Sequence, residues 1–154
     1  MGGRGAYANT RTPVERTKEQ IRSLFRKYEV RSFQFAEDWQ HDLVGIKFVR
    51  VERAKGDGKA VEVPLGVQMR VAVLERGRAR TDYSEVAWGR RERQVWRALY
   101  WYLKSQLEAV DFGLRSFTDA FLADIVMADG RTIGDQVKGA LMSGKLALPA
   151  EVGG

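Results

Sequence analysis

The chain has no cysteine among its 154 residues and only one histidine, His41. Without cysteine it can form no disulfide, no reactive thiolate and no cysteine-based zinc site. Hydrolysis by a serine nucleophile is not expected, because His41 has no evident serine partner. The phosphate-binding loop G-x-x-x-x-G-K-[ST] is also missing. We therefore predict that the protein is not an enzyme and that it holds no cofactor and no metal.

Long apolar runs are missing as well. No stretch approaches the roughly 18 to 20 apolar residues that a bilayer-spanning helix needs. The first ten residues, MGGRGAYANT, contain no apolar segment typical of a signal peptide. These two absences predict an intracellular, cytoplasmic protein without a membrane partner.

Positive charge, in contrast, is in excess. The chain has 26 Lys and Arg residues against 20 Asp and Glu residues, a formal net charge of +6 and a pI near 9.8. Such a balance raises the attraction to nucleic acid and to other anionic surfaces. The hydrophobic (44%) and charged (30%) fractions are ordinary for a folded protein, and the length suffices for one domain with its own core.

The pattern along the chain predicts a single α+β domain over residues 13–148. Residues 1–12 are glycine-rich and basic and are predicted to form a flexible arm, and residues 149–154 to form a frayed tail. A helix from residue 13 to about 28 precedes segments in which apolar and polar residues alternate, which is typical of strands. Helical patterns follow after about residue 82.

The alternating segments predict an antiparallel meander of three to four strands, over residues 32–36, 43–53, 61–65 and 67–74. Pro64 cannot donate a ladder hydrogen bond, so it marks an edge, a bulge or a break between two strands. Strands followed by helices favour a sheet packed against the long helix, with the N-terminal helix and a helical C-terminal part. The open face of this sheet is expected to carry Lys47, Val49, Glu62 and Arg70.

The long helix, which ends near residue 110, combines cations with aromatic rings. Residues three and four apart share a helix face, so a repeat at that spacing forms a continuous stripe. Cations interleaved with rings suit a polyanion whose bases stack, namely nucleic acid. The predicted binding residues of this helix are Arg90, Arg93, Arg97, Tyr100 (or Trp101) and Lys104, with Trp96 and Tyr100 as stacking rings. Further predicted contacts are Arg22 and Arg26 in the first helix and Arg76, Arg78 and Arg80 in the preceding loop.

Both parts of this interpretation have alternatives. Four large rings within residues 96–102 cannot all face one side of a helix, so some pack in the core. Others are exposed or are covered by a partner, such as a second copy of the chain. The arginines have acidic neighbours, and a solvated surface of mixed charge is the alternative for them. Asp38, His41 and Asp42 are residue types that ligate divalent metals, but their position favours a polar hairpin turn, where Asp and His are common.

Three segments of the chain resemble a family of small uncharacterised proteins of tailed bacteriophages and prophages. They are TPVERTK at 12–18, WRAL with LEAV between 96 and 110, and the stretch from Phe121 to DGRT at 129–132. The resemblance implies an intracellular phage protein outside the virion shell, working in DNA replication or recombination, and it brings no catalytic residues. A meander followed by a long helix is also similar, in topology only, to ring-forming single-strand annealing proteins.

The leading hypothesis is a non-enzymatic nucleic-acid-binding protein of phage origin that favours single-stranded DNA. A second copy of the chain and a host or phage replication protein are further candidate partners. The alternative is a protein-interaction module that binds and redirects a host enzyme. A metal-dependent nuclease built on Asp38, His41 and Asp42 is the third hypothesis.

Overall fold

The computed structural model describes residue 7 and residues 10–146, and it has the predicted α+β layout. Two single-turn 3-10 helices, Arg80–Asp82 and Leu122–Asp124, lie in the connections. The helices and strands are α1 (Val14–Lys27), β1 (Ser32–Asp38), β2 (Leu43–Gly56), β3 (Lys59–Ala72), α2 (Glu85–Phe112), α3 (Phe117–Ala120) and α4 (Ile133–Met142).

The predicted arm is described only at residue 7 and residues 10–12, and the predicted tail at 149–154 lies outside the described residues. Within the described part of the chain, no helix is long and apolar enough to cross a bilayer.

The three strands form one antiparallel sheet in the order β1-β2-β3. Pro64 does not break β3, because β3 lies at an edge of the sheet and pairs with β2 on one side only. The meander therefore has three strands, and residues 61–65 and 67–74 belong largely to one of them. β1 pairs with β2 only as far as Val49, so residues 50–56 and 59–65 continue as a two-stranded ribbon.

One face of the sheet builds the core. Alternation places Val44, Ile46 and Phe48 of β2 on this face, and all three are buried as the sequence predicts. The Phe48 ring packs against the tilted ring of Phe25 in α1, with centroids 4.9 Å apart, and contacts Phe121 edge-on at 5.5 Å. The helices therefore cover this face from both ends of the chain.

The opposite face of the sheet is polar. The register places Gln34, Lys47 and Gln68 in one row across the three strands, and Arg70 follows Gln68 on the same face. The C-terminal part covers a short stretch of the outer edge of β3, where the Val126 amide donates to the Gly66 carbonyl at 2.8 Å. An isolated bridge between Val67 and Ile125 lies beside it.

Candidate nucleic-acid interface

Helix α2 has well-defined ends. The Ser84 hydroxyl accepts a hydrogen bond from the Ala87 amide at 3.1 Å, which caps the first turn. Gly113 ends the helix at φ +88°, a left-handed conformation that favours glycine. The helix thus starts at Glu85, and its 28 residues include every candidate from Arg90 to Lys104.

The core side of α2 excludes one predicted site residue. Trp96 is 0% exposed and packs edge-on against Phe35 of β1, with ring centroids 5.5 Å apart. Leu99, Leu103 and Leu107 are buried on the same side of the helix. Trp96 therefore offers no face to a base, and its prediction as a stacking ring is wrong because the ring fills the core between helix and sheet.

A different tryptophan lies on the outside of α2. The Trp101 side chain is 42% exposed. The Arg97 guanidinium and the Lys104 ammonium each lie 5.6 Å from the centre of its ring. Tyr100 contacts Trp101 edge-on at 5.3 Å, and Arg97 lies 4.6 Å from the Tyr100 ring. We call these four residues the α2 platform: Arg97, Tyr100, Trp101 and Lys104.

The two cations of the α2 platform are each held by a further contact. Arg97 donates a hydrogen bond to the Gln20 side chain of α1, which fixes the guanidinium beside the rings. Lys104 pairs with Glu108 at 2.5 Å, one turn further along α2. The hydrogen bond from Lys104 to Glu108 is the main cause that raises the pKa of Lys104 above its usual value. A phosphate that binds Lys104 has to compete with this carboxylate.

The stripe continues towards the N-terminus of α2 through Arg93 and Arg90. Arg90 is exposed and has no ion pair among the residues that the structure describes. Arg93 is partly buried, and its Nε has no hydrogen-bond partner within the same residues. It lines a cleft of about 380 Å³ together with Arg11 and Glu92. Burial is the main cause that raises the pKa of Glu92.

The loop arginines are engaged in local structure to different degrees. Arg78 lies 3.7 Å from a Glu75 carboxylate oxygen and 3.8 Å from one of Asp82. The Arg80 guanidinium stacks 4.2 Å from the Trp88 ring. Arg76 is exposed and has no ion pair in the described part of the chain. Arg78 and Arg80 thus stabilise the entry into α2. Among the described residues, Arg76 has neither an ion pair nor a ring contact.

The two arginines of α1 also differ. Arg22 pairs with Glu19 at 2.8 Å and lies 5.3 Å from the Phe35 ring, on the side of α1 that faces β1. Arg26 is exposed, without an ion pair among the described residues. The contact between Gln20 and Arg97 is on another side of α1, so Arg22 does not join the α2 platform.

The candidate metal residues lie at the hairpin between β1 and β2. The His41 Nδ1 lies 2.9 Å from an Asp38 carboxylate oxygen, and this hydrogen bond is the main cause that lowers the pKa of Asp38. Asp38 also accepts from the Gln40 and His41 amides, as expected of a turn. Among the described residues no group of three His, Cys, Asp or Glu side chains is placed to hold a metal ion. The arrangement gives the nuclease hypothesis no support.

The helical pattern of the sequence predicts Trp101 only as an alternative to Tyr100. The spacing contained a signal that separates the two tryptophans. Trp96 lies 3, 7 and 11 residues before three leucines of the core side, whereas Trp101 lies four residues after Arg97 and three before Lys104. A tryptophan spaced three or four residues from leucines is therefore expected on the core side of the helix, and one spaced so from Arg and Lys on the exposed side.

Comparison with known proteins adds no relative: no family model, curated protein or solved structure matches the chain.

Proposed function

We propose that this is a non-enzymatic nucleic-acid-binding protein that favours single-stranded DNA and binds it along α2. The observation that carries the proposal is the α2 platform, in which an exposed indole lies between two cations. Bases stack on exposed aromatic rings while neighbouring Lys and Arg neutralise the phosphates of the same strand. Arg93 and Arg90 extend the cationic side by about two helical turns from Arg97.

The preference for single strands follows from the exposed ring. In a duplex each base is already stacked on its neighbours, so only an unpaired strand offers a free face to Trp101 at low cost. The net charge of +6 adds attraction to either form. Phage origin and a role in replication or recombination rest on the resemblance of three segments and belong to the same proposal.

Trp101→Ala tests the stacking part. We expect single-strand affinity to fall by about 5- to 150-fold, the equivalent of about 1–3 kcal/mol for one stacked base, with a smaller change for duplex DNA. The matched control is Tyr102→Ala, because this neighbouring ring is 43% exposed but points away from the platform and bonds Gln106. Fluorescence anisotropy with labelled single-stranded and duplex oligonucleotides measures both. Equal losses for the two variants would contradict the assignment.

The salt dependence tests the electrostatic part. The predicted phosphate contacts of α2 are Arg90, Arg93, Arg97 and Lys104. If each of these four neutralises one phosphate of a single strand, affinity falls about 50-fold between about 50 and 200 mM salt. Arg90→Ala should lower the logarithmic salt slope by about 0.7, because this side chain has no competing ion pair in the described chain. Arg115→Ala is the control, since Arg115 is also exposed but follows the end of α2. An unchanged slope in Arg90→Ala would remove this residue from the interface.

A protein-interaction module is the second candidate function. It is favoured by exposed apolar side chains at and beyond the C-terminal end of α2, among them Phe112, Leu114 and Met142. Under this alternative the DNA affinity is weak and Trp101→Ala leaves it unchanged. The titrations above therefore separate the two candidates.

A further inference from the structure

The two edges of the sheet differ sharply. The outer edge of β3 contains Pro64 and is covered in part by the segment around Val126, which bonds Gly66. The outer edge of β1 has no strand partner within the described residues, and six of its seven residues are exposed. One edge is partly covered, and the other is available for pairing.

The central part of β1 contains none of the usual protections of a free edge. Proteins guard such edges with lysine, proline, bulges or a covering segment, because unpaired amides and carbonyls recruit other strands. Residues 32–36 read Ser-Phe-Gln-Phe-Ala, without charge, proline or glycine. Phe33 is 37% exposed, although its ring contacts Phe25 and Phe35 at 5.3 Å each. An aromatic, uncharged edge of this kind is typical of an interface.

We propose that β1 joins two copies of this chain into a homodimer, pairing antiparallel about a two-fold axis at Gln34. This register places Phe33 opposite Phe35 of the second copy and Arg31 opposite its Glu37, so that aromatic and opposite-charge pairs form twice each. An axis at Phe35 would instead place Phe33 opposite Glu37 of the second copy, a ring opposite a carboxylate. Glu37 also accepts a hydrogen bond from Lys18 of its own chain at 3.3 Å, so Arg31 of the second copy would share this carboxylate. Charge and aromatic complementarity therefore favour a second copy as the partner and this register over the one centred on Phe35.

The pairing also fits the layers of the fold. In the proposed register, odd-numbered residues of β1 lie opposite odd-numbered residues of the second copy, and these are the residues on the core face of the sheet. The two three-stranded sheets join into one of six strands with both sets of helices on the same face. This inference does not depend on the proposed DNA-binding function.

Charge reversal at the two-fold axis tests the register. Gln34 lies on the polar face of the sheet, away from the core, and faces its own copy across the axis. The wild-type mass by light scattering should be about twice 17.4 kDa. Gln34→Lys and Gln34→Glu should each weaken the dimer by at least about tenfold, because like charges meet. An equimolar mixture of the two variants should restore it, with thermal melts showing that both fold.

A cysteine at the same position gives a direct measurement, because the chain has no other. Gln34→Cys should form a disulfide-linked dimer on mild oxidation, since directly opposed Cα atoms lie within the range that a disulfide spans. Lys47→Cys is the control, because Lys47 is the neighbour of Gln34 on the central strand. A wild-type monomer at the highest soluble concentration would overturn the proposal. So would a dimer that survives both charge variants and in which Gln34→Cys cross-links no faster than Lys47→Cys.

Discussion

Trp96→Ala and Trp101→Ala should separate stability from binding within one helix. Trp96 has no exposed surface, and its ring lies between Phe35 and the Lys18 ammonium, which is 4.9 Å from the ring centre. Truncating a buried tryptophan to alanine costs about 3–5 kcal/mol in lost burial and cavity formation. In a chain of this length, that loss lowers the melting temperature by about 6–20 °C. Trp101→Ala, at a ring that is already 42% exposed, should cost within about 1 kcal/mol.

The assay is urea unfolding followed by far-UV circular dichroism, with single-strand titration of each variant that remains folded. Trp96→Phe serves as the second variant, because it keeps an aromatic ring beside Phe35 and should recover much of the stability. It should bind DNA like the wild type. If Trp96→Ala melts with the wild type and loses single-strand affinity, the buried position of Trp96 and the α2 platform are both refuted.

Two further predictions concern the C-terminal part of the chain. Gly139→Ala should stabilise α4 by about 0.5–1 kcal/mol, because a Cβ at this position meets nothing within 4 Å. Gly134→Ala should instead destabilise the protein, because its Cβ would lie 2.7 Å from the Ala123 carbonyl oxygen. Opposite signs in thermal melts are the expected result, and equal signs would contradict the close approach of α4 to residue 123. Asp124→Asn should raise stability at pH 7, because burial raises the pKa of this carboxyl above the unfolded value and its charge therefore opposes folding. The difference between variant and wild type should shrink as the pH falls through the folded pKa to about 3.8, and a constant difference in melts between pH 3 and 7 would contradict this.

The sequence predicts the layout of the sheet better than the composition of the site. Alternation alone identifies Val44, Ile46 and Phe48 as core residues, because each step along a strand changes the face. Pro64 is compatible with an edge strand, a bulge or a break between strands. The sequence does not distinguish them, because the outcome depends on which strand lies beside β3. The contact of Arg97 with Gln20 joins residues 77 positions apart, so no local pattern contains it. Tertiary packing of this kind decides which arginines remain available.

The two-stranded ribbon of residues 50–56 and 59–65 has a consequence for how the protein opens. It projects about 24 Å beyond the end of β1, and residues 53–62 are all exposed, around a turn in which Asp57 and Gly58 both have positive φ. Its amides are protected by little more than their own ladder, so they exchange with solvent through local fraying while the core stays folded. Cleavage by a protease at the turn, or an insertion placed there, should therefore have little effect on the free energy of unfolding of the core.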